Sequence, residues 1–463
     1  MPAGQSRYSS FLERFLLPSY YGLRGRSYAR HRRWLEQSQW WSADQLQDFQ
    51  WRELQRLLRH AIETVPYYRQ KYAACGVASA EDVRTREDFA RLPTLTREEI
   101  NQHRNDLCST EFRGKLLAHS TTGSSGKPTH FFITYESYDW RTAVSSRAYS
   151  WSGARVGERT LYLWGGPVKA APLFAARKLS AYRALRRELV FNTFAQSEAL
   201  WRSAYGAALE YRPRYMVGYV SSIERFCEYL LAHSLRLPGL RAAISAAEPV
   251  TDQARTLLKQ ALGIPLFNTY GSREFMCIAA ECDQHRGLHI STENLLVEQT
   301  APVLGNAQTG IPSAIGAASD LLVTDLHNYG MPFLRYEIGD AGVISTGNSC
   351  ACGRGLPMLE RVEGRTTEIL RLANGRILSA LVFPHAMKDV PEVREFLIVQ
   401  RSVEHFDLLV VLRQPLSEAS RSLLRRYFSD LLGNEVTVKV VPVEEIPRSA
   451  SGKRRIAVGL GRE

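Results

Sequence analysis

HSTTGSSGKPTHFF, residues 119–132, is a stretch that no hydrophobic core can absorb. Ser120, Thr121, Thr122, Gly123, Ser124, Ser125, Gly126 and Lys127 run together, and Pro128 separates them from an apolar, strand-like segment. Glycines let backbone approach an anion closely, while hydroxyls, N–H groups and one ammonium supply donors. This is the chemistry of a phosphate cradle. It is not a Walker A loop, which needs a four-residue gap between its glycines and a Ser or Thr after the lysine. Taken alone, the segment reads first as a surface turn.

The pattern around it sets the fold class. Short apolar runs at Thr160 to Trp164, Tyr215 to Val220, Ala242 to Ala246 and Leu266 to Thr269 read as strands. Helical patterns lie between them, such as Asp252 to Leu262 with Gly263 and Pro265 just past its end. Strands alternating with helices predict an α/β layered domain. Upstream, Leu46, Phe49, Leu54, Leu57, Leu58 and Ala61 predict an amphipathic helix over 45–63, stopped by Pro66. The composition shifts near Glu363. Beyond it lie a hairpin candidate (Glu395 to Gln400, Phe406 to Leu412), a helix (Ser417 to Leu432) and an alternating strand (Val436 to Val443). The expected architecture is a large multi-layer α/β domain over 1–363 and a small α+β domain over 364–463.

The 463 residues carry a net charge of +12, most of the excess being arginine. That balance favours anionic partners such as nucleotides, coenzyme A or anionic lipid. The arginines are dispersed and no zinc-finger or aromatic RNA-binding spacing occurs, so no nucleic acid is expected as the main partner. No apolar run approaches the roughly 18 residues of a membrane span. The N-terminal stretch lacks a signal-peptide core, so a cytoplasmic protein is expected. Residues 10–23 read as a helix that either packs on the domain or lies on a membrane surface.

Three further segments follow the hydroxyl-rich loop in order: NTYGSREF (268–275), NYGMPFLRYEIGD (328–340) and IPRSASGKRR (446–455). Together the four resemble the adenylate-forming superfamily of acyl-CoA ligases, adenylation domains and luciferases. LLRHAIETVPYYRQKY (57–72) and LPTLTREEI (92–100) make the chain most similar to the phenylacetate–CoA ligase family, including its CapK-like capsular polysaccharide branch. The resemblance implies activation of a small carboxylic acid by ATP and Mg²⁺, then acyl transfer, by default to CoA. An amine, a glycan hydroxyl or a carrier-protein thiol would be alternative acceptors, and a degenerate ligase acting as a binding partner is the non-enzymatic alternative. A homodimer is compatible with one chain's sequence.

The same resemblance implies the site residues. The loop 120–127 would hold the β- and γ-phosphates. Glu274 would bind Mg²⁺, because carboxylate plus phosphate oxygens is the usual magnesium site. Tyr270, in a segment with Gly271 and Ser272, would stack on adenine, with Ala247, Glu248 and Pro249 as the adenine-side loop. Asp340 and Arg365 would reach the ribose. Lys453 would bridge the acid and the α-phosphate. Arg273 departs from the pattern, which has Thr or Ser before the glutamate; a guanidinium can also hold phosphate. Trp164, Tyr219 and Phe275 lie near segments that would line an acyl pocket, and aromatic rings there serve equally well as core fillers.

Seven cysteines in a chain read as cytoplasmic do not suggest a disulfide framework. Cys282-x-x-His285 and Cys350-x-Cys352 offer soft ligands for a tetrahedral Cys₃His zinc site, with His289 as the rival ligand. The resembled branch carries similar segments. Unliganded thiols or a transient disulfide are the other readings.

Overall fold

A computed structural model describes residues 6–112, 114–121, 129–164, 173–193, 197–300, 319–345, 347, 350–365, 369–372, 377–379, 383, 387, 390–432, 435–447 and 456–460. The alternating middle folds as a five-stranded parallel sheet. Its spatial order is Glu188–Asn192, Thr160–Trp164, Tyr215–Tyr219, Ala242–Ala246, Leu266–Phe267. Helices Leu173–Arg186, Glu198–Tyr211, Val220–Ala232 and Asp252–Leu262 connect the strands. The strands are continuous apolar runs because they are buried on both faces, with Leu161, Leu163, Met216 and Val217 fully inaccessible. Thr251 caps the last helix by accepting from the Ala254 N–H, and Gly263, at φ 70°, ends it in the left-handed conformation.

A seven-stranded antiparallel sheet follows, ordered Leu295–Gln299, Ser319–Asp325, Tyr336–Ile344, Met358–Arg365, Leu288–Ile290, Met276–Glu281, Thr269–Ser272. Helix Ala43–Thr64 covers it, burying Leu54, Leu57, Leu58 and Ala61 with Phe275, Leu321, Phe333 and Tyr336. Pro66 was expected only to stop that helix. It also opens the next one, Pro66–Ala73, at the first turn where a missing N–H costs nothing. Phe275, expected at a pocket wall, is fully buried in this core, with ring centroids 5.9 Å from Phe333 and Tyr336.

The C-terminal residues build a four-stranded sheet, ordered Thr437–Pro442, His405–Leu412, Val393–Gln400, Ala457–Val458, against helix Glu418–Leu432. Its core, from Leu370 through Phe406 and Phe428 to Ala457, is drawn entirely from this end of the chain. The architecture is therefore a large mixed α/β region and a smaller α+β unit. The two meet at the Val220–Ala232 helix, where Arg413 pairs with Glu228 at 3.1 Å and Arg225 pairs with Glu395. Among the described residues no helix is long and apolar enough to cross a membrane.

Candidate active site and thiol cluster

The chain runs from strand Thr160–Trp164 to its neighbour on one side, then returns to Tyr215–Tyr219 on the other. Such a reversal leaves a crevice at the carboxyl ends of the strands, the usual ligand position in an open α/β sheet. Trp164 and Tyr219 end those two strands and stack there, with centroids 5.0 Å apart and planes at 28°. Burial raises the Tyr219 hydroxyl's pKa, and the nearby Glu248 carboxylate adds to the rise while Arg273 opposes it.

The adenine-side candidates follow strand Ala242–Ala246. Ala247 sits at φ 62°, a conformation that an alanine adopts only when its surroundings impose it. Glu248 is buried, and its carboxylate accepts from the Ser221 N–H at 2.6 Å and hydroxyl at 3.0 Å. The loop is thereby tied to the first turn of helix Val220–Ala232, where a negative charge is favoured.

Gly271 is required by geometry: a Cβ there would lie 1.8 Å from the Met276 carbonyl oxygen. The tight return it permits aligns three side chains. Tyr270 donates to Asp340 Oδ2 at 2.8 Å, so the two nucleotide candidates are physically joined. In strand register Asp340 lies opposite Arg365. The Arg273 Nε and Nη2 both lie 3.4 Å from the Ser120 carbonyl oxygen. Arg273 therefore spans from the YGSRE turn to the base of the hydroxyl-rich loop. That base is closed by Thr121 and Thr129, through Thr121 N–H to Thr129 O at 2.9 Å and Thr129 N–H to Thr121 Oγ1 at 3.0 Å. Residues 122–127 and Lys453 lie outside the described residues, as does the Arg365 side chain.

Glu274 is 4% exposed and accepts from the Tyr336 hydroxyl at 3.3 Å. The charge of Arg97 acts on the same hydroxyl and on Glu274. Sequence reading missed both partners. Their juxtaposition is tertiary: Leu95 N–H donates to Arg335 O and Glu337 N–H to Leu95 O, clamping the 92–100 segment along strand Tyr336–Ile344. The Ser272 and Thr129 hydroxyl oxygens are buried with no hydrogen-bond partner among the described residues. Buried orphans at a turn and a loop base are what a phosphate-bearing ligand would satisfy.

The second site is the thiol cluster. The donor atoms of Cys282, His289, Cys350 and Cys352 all lie within 4.8 Å of one another. Cys282 Sγ is 3.7 Å from Cys350 Sγ, and Cys352 Sγ is 3.3 Å from His289 Nε2. Zn–S bonds of about 2.3 Å set tetrahedral S···S edges of about 3.8 Å and S···N edges of about 3.5 Å. A disulfide would need about 2.05 Å. The four groups therefore fit a tetrahedral metal. His289 Nδ1 lies 3.3 Å from the Leu356 carbonyl, which fixes the tautomer that leaves Nε2 free to ligate. Burial pushes the His289 pKa down to about 4, so the ring is neutral at pH 7.

His285, favoured by spacing, does not join this group. Its Nδ1 lies 3.1 Å from Glu281 Oε2 and its ring packs on Phe267. The reason is hairpin register. His289 pairs opposite Ala280, on the face that also carries Cys282, whereas His285 sits in the turn at φ 51°. Arg354 extends the cluster outward, donating to Gln39 Oε1 at 3.0 Å and lying 4.9 Å over both the Trp40 and Trp151 rings.

This architecture matches known proteins. Residues 370–459 match the CapK C-terminal domain family. The chain is 25% identical to the phenylacetate–coenzyme A ligase of Escherichia coli (strain K12), covering 90% of this chain and 95% of that one. It is 26% identical to the phenylacetate–coenzyme A ligase of Thermus thermophilus, covering 90% and 97%. The fold matches a crystal structure of 2-hydroxyisobutyryl-CoA ligase in the postadenylation state with TM-score 0.66 at 19% identity, covering 88% of each chain. The fold is that of this CoA ligase structure. The chain is phenylacetate–CoA ligase-like along most of its length, and its C-terminal residues match the CapK type.

Proposed function

We propose that this protein joins a carboxylic acid to ATP, releasing pyrophosphate, and then passes the acyl group to the thiol of CoA, releasing AMP. The supporting observation is that one turn carries both Tyr270, which holds Asp340, and Arg273, which reaches the Ser120 carbonyl at the base of the hydroxyl-rich loop. In the first step the acid's carboxylate oxygen attacks the α-phosphorus and the bond to pyrophosphate breaks. Charge developing on phosphate needs fixed donors. In this reading residues 120–127, the Ser272 hydroxyl and the Arg273 guanidinium supply them. Asp340 and Arg365 hold the ribose, and Tyr270 and Ala247 to Pro249 flank the adenine. Glu274 would hold Mg²⁺, which when bound neutralises phosphate charge. Lys453, in a C-terminal domain running from 364, bridges the acid and the α-phosphate. The Trp164–Tyr219 stack favours a planar, aryl acid. A cytoplasmic location belongs to the same reading, as does a structural zinc held by Cys282, His289, Cys350 and Cys352; four protein ligands leave no open position for catalysis.

The test is pyrophosphate release with ATP, Mg²⁺ and a panel of aryl and aliphatic acids, with and without CoA, beside Lys453→Ala. Acid-dependent release that disappears in the variant supports adenylation, and CoA-accelerated AMP formation identifies the acceptor. Silence across the panel together with no ATP binding would sink the reading in favour of a degenerate, binding-only ligase.

A further inference from the structure

The N-terminal residues build a surface that the catalytic reading does not use. Arg7–Phe11, Leu12–Leu16 and Leu17–Gly22 form one helical stretch, π-helical in its middle section. One side is anchored: Leu12 and Leu17 are buried with Leu35, Trp140 and Val144. A surface helix ordinarily turns polar residues outward. This one presents Phe11, Phe15, Leu16 and Tyr20, followed by Leu23, which is 91% exposed.

Helix Leu173–Arg186 lies beside it. The Tyr8 hydroxyl donates to the Leu185 carbonyl at 2.7 Å, and the Arg187 guanidinium sits 3.7 Å over the Tyr8 ring. This helix exposes Leu179, Tyr182 and Leu185 at three-residue spacing, a single face. Eight of the sixteen large apolar side chains exposed among the described residues belong to these two segments, so they form a patch rather than ordinary scatter.

The charge on the patch has one sign. Arg7, Arg14, Arg24, Arg177 and Lys178 are exposed, and helix Leu173–Arg186 contains no acidic residue. The one acid in residues 7–26, Glu13, is turned toward Arg155 at 3.4 Å. Exposed aromatic and aliphatic side chains set among arginines, with no acid to repel phosphate, match the headgroup layer of an anionic bilayer. A nucleic acid would leave Phe15 and Leu23 without an apolar partner. A second copy paired across a two-fold axis would set arginines against arginines. We propose that this face rests on an anionic lipid membrane, with Phe11, Phe15, Leu23, Leu179 and Tyr182 inserted at the acyl boundary and the arginines on the headgroups. The proposal does not depend on the catalytic reading.

The full chain should co-sediment with vesicles of phosphatidylcholine containing a quarter phosphatidylglycerol, and much less with phosphatidylcholine alone. Rising salt should release it. Phe15→Ser with Leu23→Ser should lower the partition coefficient roughly tenfold. Arg14→Gln and Lys178→Gln should each lower it about fivefold. Leu209→Ser, exposed on another helix, should leave it unchanged. Since all these side chains are exposed, folding is checked by circular dichroism and melting. Equal partitioning onto neutral and anionic vesicles, no partitioning of folded wild-type protein, or wild-type binding by the Phe15/Leu23 double variant would each overturn the proposal. Self-association in sedimentation velocity that this double variant abolishes, without vesicle binding, would reassign the surface to a second copy.

Discussion

The thiol cluster and the crevice are both polar sites in the same large region, and they are finished to different degrees. In the cluster every donor already faces another: sulfur against sulfur, sulfur against imidazole, and the far imidazole nitrogen against a carbonyl. In the crevice Ser272 Oγ and Thr129 Oγ1 are buried without partners among the described residues, and Arg273 lies 3.4 Å from the Ser120 carbonyl. A site closed on itself can stabilise but has no position for a reactant. A site with buried orphans holds potential that a ligand completes. Substitutions in the crevice should therefore cost activity at constant stability, and those in the cluster the reverse.

The largest effect is expected at Glu274. Glu274→Gln keeps the shape and the Tyr336 hydrogen bond but removes the charge that, in the proposed reading, would hold Mg²⁺. Acid-dependent pyrophosphate release should fall by about 10²–10³-fold, the scale of losing one preorganised electrostatic group. The melting temperature should hardly move. A variant that melts early, or one that keeps full activity, would erase the distinction between the sites.

Cys350→Ser tests the other side. Bound zinc, measured by atomic emission on the purified protein, should drop from one equivalent to near zero. Stability should fall by about 3 kcal/mol, as when other structural metals are lost. Residual protein kept below its melting point should retain near-normal pyrophosphate release. Metal-free wild-type protein with unchanged stability would show the cluster to be a set of ordinary buried thiols.

The closed interior also predicts a pH dependence. His327 is stacked between Trp140, at 4.0 Å and 6°, and a carbonyl bond to Glu293 at 2.9 Å. Burial drives its pKa down to about 4. A folded value below the unfolded value of about 6.5 means the unfolded chain binds the proton first. This contribution to stability is complete above pH 6.5 and is lost as pH falls toward 4, by at most about 3 kcal/mol. Denaturant titrations across that window should show stability rising with pH, with a flatter slope in His327→Gln. An unchanged slope would place the linkage on other groups.

Much of this was legible before any coordinates. The parallel strands and the helix Asp252–Leu262 are local patterns whose bounds the sequence carries within a residue or two. The segments that carry Tyr270, Arg273 and Asp340 could be found because each is contiguous. The errors came where a face depends on pairing. His285 fitted a ligand spacing, yet hairpin register turns His289 toward the thiols. Phe275 follows Glu274 in sequence, and both are buried beside Tyr336, the ring against its ring and the carboxylate against its hydroxyl. Pro66 stopped one helix and began another, since a proline blocks only the turn before it.

Tyr336 gives the smallest effect and the finest test. Its hydroxyl sits between Arg97 and Glu274, 3.3 Å from the carboxylate, in a core position with no solvent access. Tyr336→Phe keeps the packing and removes one donor, so the loss should be that of a single hydrogen bond to a charged group, about 1.5 kcal/mol or roughly tenfold. If the hydroxyl orients Glu274 for the cation, the loss should appear as weaker MgATP binding in calorimetry, with ATP binding in chelator unchanged. A structural role alone would lower the melting temperature and leave both affinities alike. The crevice would then owe its geometry to backbone alone, and its difference from the thiol cluster would be one of solvent access rather than of groups left unfinished.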